Sequence, residues 1–172
     1  MNILIHYSTV DGQTLRICKW IQTTAEEAGH RATVADIENY QSFDPALFDR
    51  VVVGASIRYG HHRPSVARYL LLNKTELQSK CALFSVNVVA RKPEKSDPGT
   101  NPYMQKLLKE IGWRPAHLAV FAGRLDYPSL GFLDRNVIRF IMLLTRGPTD
   151  PKGTFEFTDW TKVDAFAREI FG

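Results

Sequence analysis

Hydrophobic positions fall into two rhythms along this chain. Short unbroken apolar runs (Ile3-Leu4-Ile5, Val51-Val52-Val53, Ala82-Leu83-Phe84, Leu118-Ala119-Val120-Phe121) alternate with longer stretches in which apolar residues return every three or four positions. The runs predict strands over Asn2 to Tyr7, Arg31 to Ile37, Arg50 to Ser56, Cys81 to Val86 and Ala116 to Gly123. Most lack strict alternation, as strands do when both faces of a parallel sheet are covered; the more polar Arg31 to Ile37 belongs at an edge. Helices are predicted over Gln13 to Ala28, with Gly29 as its stop, and over Pro64 to Leu72, Pro102 to Glu110 and Thr161 to Phe171, the last opened by Asp159-Trp160. Asn39 to Asp49 reads as a polar connection containing a proline. Strict alternation of strand and helix with five strands predicts one α/β domain over residues 1–172, a doubly wound five-stranded parallel sheet in the order 2-1-3-4-5.

One segment breaks the rhythm. Arg124 to Gly153 interrupts the fifth strand before Thr154-Phe155-Glu156-Phe157 resumes a strand-like pattern. Inserted segments of this size usually carry function. At 100° per residue Leu133, Val137, Phe140, Ile141 and Leu144 share one helical face while Arg135, Arg139 and Arg146 line another. Two readings stand: a basic amphipathic helix lying in a membrane interface, or an apolar face packed on the domain or on a second subunit of a homo-oligomer. Ile138, Met142 and Leu143 add apolar surface beyond one core contact, which favours a contact with membrane, substrate or subunit.

A chain of 172 residues with 44% hydrophobic and 23% charged positions is ordinary for one globular domain. The net charge of +4 is concentrated after the third and fourth strands rather than spread, so it points to a local ligand and not to nucleic acid. Cys18 and Cys81 form no C-x-x-C pair and no ligand cluster, so neither a disulfide framework nor a metal site is expected. The first residues enter a strand pattern directly, with no secretory signal, and no run is long enough to span a bilayer; an intracellular protein is expected.

The chemistry gathers at the carboxyl ends of the strands, where a sheet of this order binds ligands at its switch point. After the first strand, Ser8-Thr9-Val10-Asp11-Gly12-Gln13-Thr14 places three hydroxyls, an amide and a turn-forming glycine at a helix N-terminus, whose free N–H groups and dipole favour an anion. The loop has no lysine, unlike a Walker A loop, and no two glycines in the chain stand two apart, so the dinucleotide fingerprint is missing. What remains is a cradle for one terminal phosphate, or a simple helix cap. The loops Ser56 to Arg63 and Asn87 to Lys95 should converge beside it, with Tyr59 and Gly60 suited to a flat heterocycle.

The loop Ser8 to Thr14 resembles the phosphate loop of the flavodoxin family. The stretches Val53-Gly54-Ala55-Ser56-Ile57-Arg58-Tyr59-Gly60-His61, Ser85 to Lys95 and Phe157-Thr158-Asp159-Trp160 are similar, more narrowly, to the quinone-dependent protoporphyrinogen IX dehydrogenases, flavodoxin-like enzymes of bacterial haem synthesis. That resemblance implies FMN. Its phosphate would lie on Ser8, Thr9, Asp11, Gly12, Gln13 and Thr14, and its ring between Ser56, Ile57, Arg58, Tyr59, Gly60 and His61 on one side and Asn87, Val88, Val89, Ala90 and Arg91 on the other. It also implies oxidation of protoporphyrinogen IX, with electrons passing to menaquinone or ubiquinone at the cytoplasmic face of the inner membrane; no catalytic base follows from it. The basic rim of Arg58, His61, His62, Arg63, Arg91, Lys92 and Lys95 would tune the flavin or pair with the substrate's propionates. Arg91, Lys92, Arg124, Tyr127, Arg135 and Arg139 are the candidate substrate contacts. An electron carrier without substrate chemistry, or a flavin-dependent quinone reductase, are the alternatives.

Overall fold

The computed structural model describes residues 1–38 and 43–172. Along the chain run β1 (Asn2–Ser8), α1 (Gln13–Glu27), β2 (Arg31–Asp36), β3 (Arg50–Arg58), β4 (His61–His62), α2 (Pro64–Leu72), α3 (Lys74–Leu77), β5 (Cys81–Val86), α4 (Pro102–Ile111), β6 (His117–Phe121), β7 (Arg124–Asp126), α5 (Phe132–Leu144), β8 (Thr154–Glu156) and α6 (Trp160–Phe171). Residues 39–42 of the expected polar connection lie outside the described residues. The rest of it carries a short 3-10 turn, Pro45–Leu47, whose first N–H groups are capped by Asp44.

The main sheet runs β2-β1-β3-β5-β6, all parallel, which is the predicted order. Alternate residues of each central strand feed opposite cores. Leu4, Val51, Val53 and Leu83 pack with Val66, Leu70 and Leu107 of α2 and α4, whereas Ile3, Ile5, Val52 and Phe84 pack with Ile17 and Ile21 of α1 and Val163 and Phe166 of α6. The near-continuous apolar runs follow from this two-sided burial. Gly54 is required by packing: a Cβ there would run into the Phe84 ring. Cys18 and Cys81 are both buried, where burial pushes each thiol well above its ordinary range.

Two expectations need correction. First, Thr154–Glu156 does not resume the fifth strand. It pairs antiparallel with Arg124–Asp126 as a separate two-stranded sheet, and the turns between them enclose a small core of Leu125, Tyr127 and Met142. Second, the segment after Ser56 is a hairpin and no open loop. β3 continues to Arg58, turns through Tyr59 and Gly60 at φ 50° and 79°, and pairs back through His61 and His62. Positive φ at both central residues matches the twist of a tight two-residue hairpin.

Candidate functional site

The loop from Thr9 to Gly12 leads into α1 through Gly12, held at φ 80°, a conformation that glycine adopts without strain. The Thr9 hydroxyl accepts from the Gly12 N–H at 3.0 Å, which curls the loop, and a Cβ built on Gly12 would meet nothing within 4 Å, so the space over the loop is open. The N–H groups of Gln13 and Thr14 begin the helix and have no intrahelical acceptor. Thr14 is fully buried, and its hydroxyl oxygen has no hydrogen-bond partner. A buried hydroxyl left unpaired is costly unless a ligand completes it, and open amides beside it favour an anionic one. The residues present therefore fit a phosphate.

Other loop side chains are engaged elsewhere. Ser8 donates to Glu38 at 3.0 Å; Glu38 also accepts from Ser65 and lies 3.6 Å from Arg63. Partial burial raises that carboxyl, but the hydrogen bonds from Ser65 and Ser8 and the charge of Arg63 together hold it below its usual range. The Gln13 amide donates to Glu156 and Thr158 at 2.9 and 2.8 Å and accepts from Arg16, tying α1 to the end of the insertion. Asp11 faces Arg58 at 3.4 Å. Of the side chains expected on the phosphate, Thr14 is the one with a buried free hydroxyl; Ser8 and Gln13 act as scaffold.

Beside the cradle, Tyr59 is 73% exposed at the tip of the β3–β4 hairpin, with the Arg58 guanidinium 5.0 Å from its ring centre. Ser56 donates to the Ser8 carbonyl at 3.4 Å, bringing β3 against the phosphate loop. Opposite, Asn87 caps the 3-10 turn Val88–Arg91 and is buried in a network in which Asn101 donates to Asn87, Asn87 donates to Ser85, and Ser85 meets His62 at 2.9 Å. Asn87 thus shapes the second loop through its backbone neighbours, while Ala90 is buried and Val88 packs against the core of the insertion.

Two arginines of the expected cationic rim are tied to the insertion. Arg58 pairs with Asp134 at 2.6 Å, and Tyr59 donates to the other oxygen of that carboxylate at 2.8 Å. Arg91 donates to the carbonyl and hydroxyl of Thr145 at 3.0 and 2.8 Å, capping the last turn of α5. So α5 is pinned at one end to the hairpin and at the other to the turn after β5, spanning both loops expected to flank a ring. Among the candidate substrate contacts, Arg124 pairs with Asp126, Arg135 donates to the Leu130 carbonyl, Arg139 to the Thr149 carbonyl, and Tyr127 is buried with its hydroxyl on the Pro148 carbonyl at 2.6 Å. All four make these contacts within the insertion; Lys92 stands between two 3-10 turns of the second loop.

Arg135 and Arg139 of α5 are turned inward with Ile138 and Met142, Arg146 is exposed beyond the end of the helix, and the apolar face is turned outward. Phe132 and Leu133 are each 77% exposed, and Val137, Phe140, Ile141, Leu143 and Leu144 are exposed beside them. The expectation that this face packs on the domain is therefore overturned. Glu38 and Asp134 were missed in the sequence, although Asp134 is the one acid in an otherwise apolar and basic helix, a signal that a partner cation awaits it.

The flavodoxin-domain family matches residues 4–152. The chain is 43% identical over 171 residues to protoporphyrinogen IX dehydrogenase (quinone) of Escherichia coli (strain K12), covering 99% of this chain and 94% of that one. It belongs to this family of flavodoxin-like dehydrogenases. The protein of the same name from Leishmania major is 41% identical, over 97% of this chain and 73% of its own. Solved flavodoxins share the fold: oxidised Flavodoxin 1 from Bacillus cereus superposes with a TM-score of 0.55 at 15% identity, over 99% of this chain and 97% of that one. A flavodoxin from the domain Archaea gives 0.53 at 13%, over 99% and 96%. A flavin is the cofactor class that goes with this domain.

Proposed function

We propose that this chain oxidises protoporphyrinogen IX to protoporphyrin IX, using FMN as its flavin and a quinone, menaquinone or ubiquinone, as the acceptor. The observation that carries the choice of a phosphate-bearing flavin is the buried, unpartnered hydroxyl of Thr14 under an open loop of amides. FMN, when bound, would supply the two-electron redox chemistry that links the tetrapyrrole to quinone. The chain supplies the setting. Thr14 and the first N–H groups of α1 bind the phosphate, the exposed Tyr59 ring stacks on the flat heterocycle, and Asp134 fixes Arg58 and Tyr59 so that the hairpin keeps its shape. Anaerobic mixing of FMN-loaded protein with protoporphyrinogen IX and a quinone should give quinone-dependent porphyrin fluorescence. An electron carrier would give none above background.

The same reading places the protein peripherally on the cytoplasmic face of the inner membrane, where its acceptor is dissolved. No helix among the described residues is long and apolar enough to cross a membrane. The outward face of α5 instead suits the acyl boundary: fully burying one Leu or Phe side chain is worth roughly 1.5–3 kcal/mol, so several of them give reversible binding. Replacing Leu133, Phe140 and Leu144 by Gln should abolish co-sedimentation with anionic lipid vesicles while leaving the unfolding midpoint nearly unchanged, because all three are exposed. Retained vesicle binding by a folded variant would assign the face to a second subunit.

A further inference from the structure

The substrate of the proposed reaction carries two propionate carboxylates, yet the arginines nearest the ring loops are committed to Asp134, Asp11 and Thr145. Two further cations without carboxylate partners among the described residues, Lys106 and Lys109, lie on another side of the hairpin. A cavity of about 750 Å3 opens between the β3–β4 turn, the start of α2 and α4, and none of the phosphate-loop residues lines it. Buried Ala67 and Leu107 give it apolar lining, and His61, Arg63, Lys106 and Lys109 give it hydrogen-bond donors and charge. Lys106 donates to His61 Nδ1 at 2.7 Å, and among the described residues neither Lys106 nor Lys109 has a carboxylate within ion-pair distance. Glu110 is the one acid in the lining, and Arg63 is shared with Glu38.

Ammonium groups gathered on a concave, partly apolar wall repel one another unless an anion joins them, and an anion with an apolar body matches both features. His62 adds a donor or acceptor without adding charge: burial, with Lys106 as a second cause, pulls its pKa down to about 4. Gly60 and His61 belong both to this cavity and to the hairpin that carries Tyr59, so a carboxylate held here lies along the edge of the candidate ring site.

We propose that this cavity is the carboxylate subsite for the tetrapyrrole, with Lys106 and Lys109 as the ammonium groups that meet its propionates. The assignment rests on the reaction proposed above. It is tested on FMN-loaded protein by equilibrium titration with protoporphyrin IX and with its dimethyl ester, which keeps the macrocycle and loses both charges. Wild-type protein should bind the free acid at least tenfold more tightly than the ester. The double variant Lys106→Gln/Lys109→Gln, changed at two exposed positions, should bind the free acid no more tightly than wild-type protein binds the ester, with its FMN affinity intact. In steady state it should raise KM for protoporphyrinogen and leave KM for quinone alone. Equal affinity of wild-type protein for acid and ester, unaltered porphyrin binding by the double variant, or a rise in the quinone KM instead would each overturn the assignment. Failure of the underlying reaction reads differently: wild-type protein then forms no porphyrin with quinone at all, whichever cavity residues are present.

Discussion

Thr14→Val separates the cradle from an ordinary helix cap, because it should act with opposite sign on the empty and the loaded protein. Valine matches threonine in volume and β-branching, so the helix loses little by the exchange. In the empty protein the Thr14 hydroxyl is buried without a partner, and an unpaired buried polar group costs about 1–3 kcal/mol. Removing it should therefore raise the stability of FMN-free protein, by about 2–4 °C in Tm for each kcal/mol recovered in a domain of this size. With FMN bound, the same hydroxyl donates to a charged phosphate, an interaction worth about 1.5–3 kcal/mol, so Kd should rise by about 10- to 150-fold. Quenching of FMN fluorescence on titration gives the affinity, and thermal melts of the flavin-free protein give the stability. A flavin Kd within a factor of about two of wild type, or a flavin-free variant less stable than the parent, would refute the reasoning and return the loop to the role of a cap.

Further predictions concern the core and the insertion. His6 is buried against Tyr69, with ring centres 4.8 Å apart and an unpartnered Nδ1, and burial, opposed only by the charge of Asp36, lowers its pKa to about 4. The unfolded chain binds a proton below about pH 6.5 that the folded chain refuses until about pH 4, so this stabilisation is full above pH 6.5 and is lost on acidification across that window. His6→Phe, which keeps the aromatic contact, should remove about 2–3 kcal/mol of the difference in stability between pH 7 and pH 4.5; denaturant midpoints showing an unchanged difference would contradict it. Asp134→Asn discharges the ion pair with Arg58, whose side chains are 32% and 22% exposed, so screening limits the loss to about 1 kcal/mol. Amide exchange in α5 should quicken while β1 and β3 keep their protection, and unaltered exchange in α5 would show that Thr145 and the small core hold the helix unaided.

The sheet order, the bounds of the expected helices to within a residue or two and the glycine turn before α1 were all legible in the chain. Each is written in a local signal: apolar runs of strand length, a 3.6-residue period, a glycine that must take positive φ, and an Asp159 that caps α6 through the N–H groups of Thr161 and Lys162. The family resemblance was legible for the same reason, since the matching stretches are contiguous. Which arginines remained available was not legible. Arg58 meets Asp134, and Arg91 meets Thr145, across long separations in sequence, so Arg58 is charge-paired once folded while Arg91 is held by neutral oxygens.

The amphipathic period of α5 likewise declared that the helix has two faces without saying which one meets the domain. Sequence by itself determined the doubly wound fold, the position of the tight loop that opens α1 and the existence of an inserted amphipathic helix, because these depend on residues close together along the chain. Tertiary structure alone decided that Arg135 and Arg139 turn inward and leave Phe132, Leu133 and Phe140 outside. The carbonyls of Leu130 and Thr149 accept from Arg135 and Arg139, and Arg58 of the hairpin meets Asp134, so the polar groups of α5 find their partners on the inward side, beside the small core of Leu125, Tyr127 and Met142.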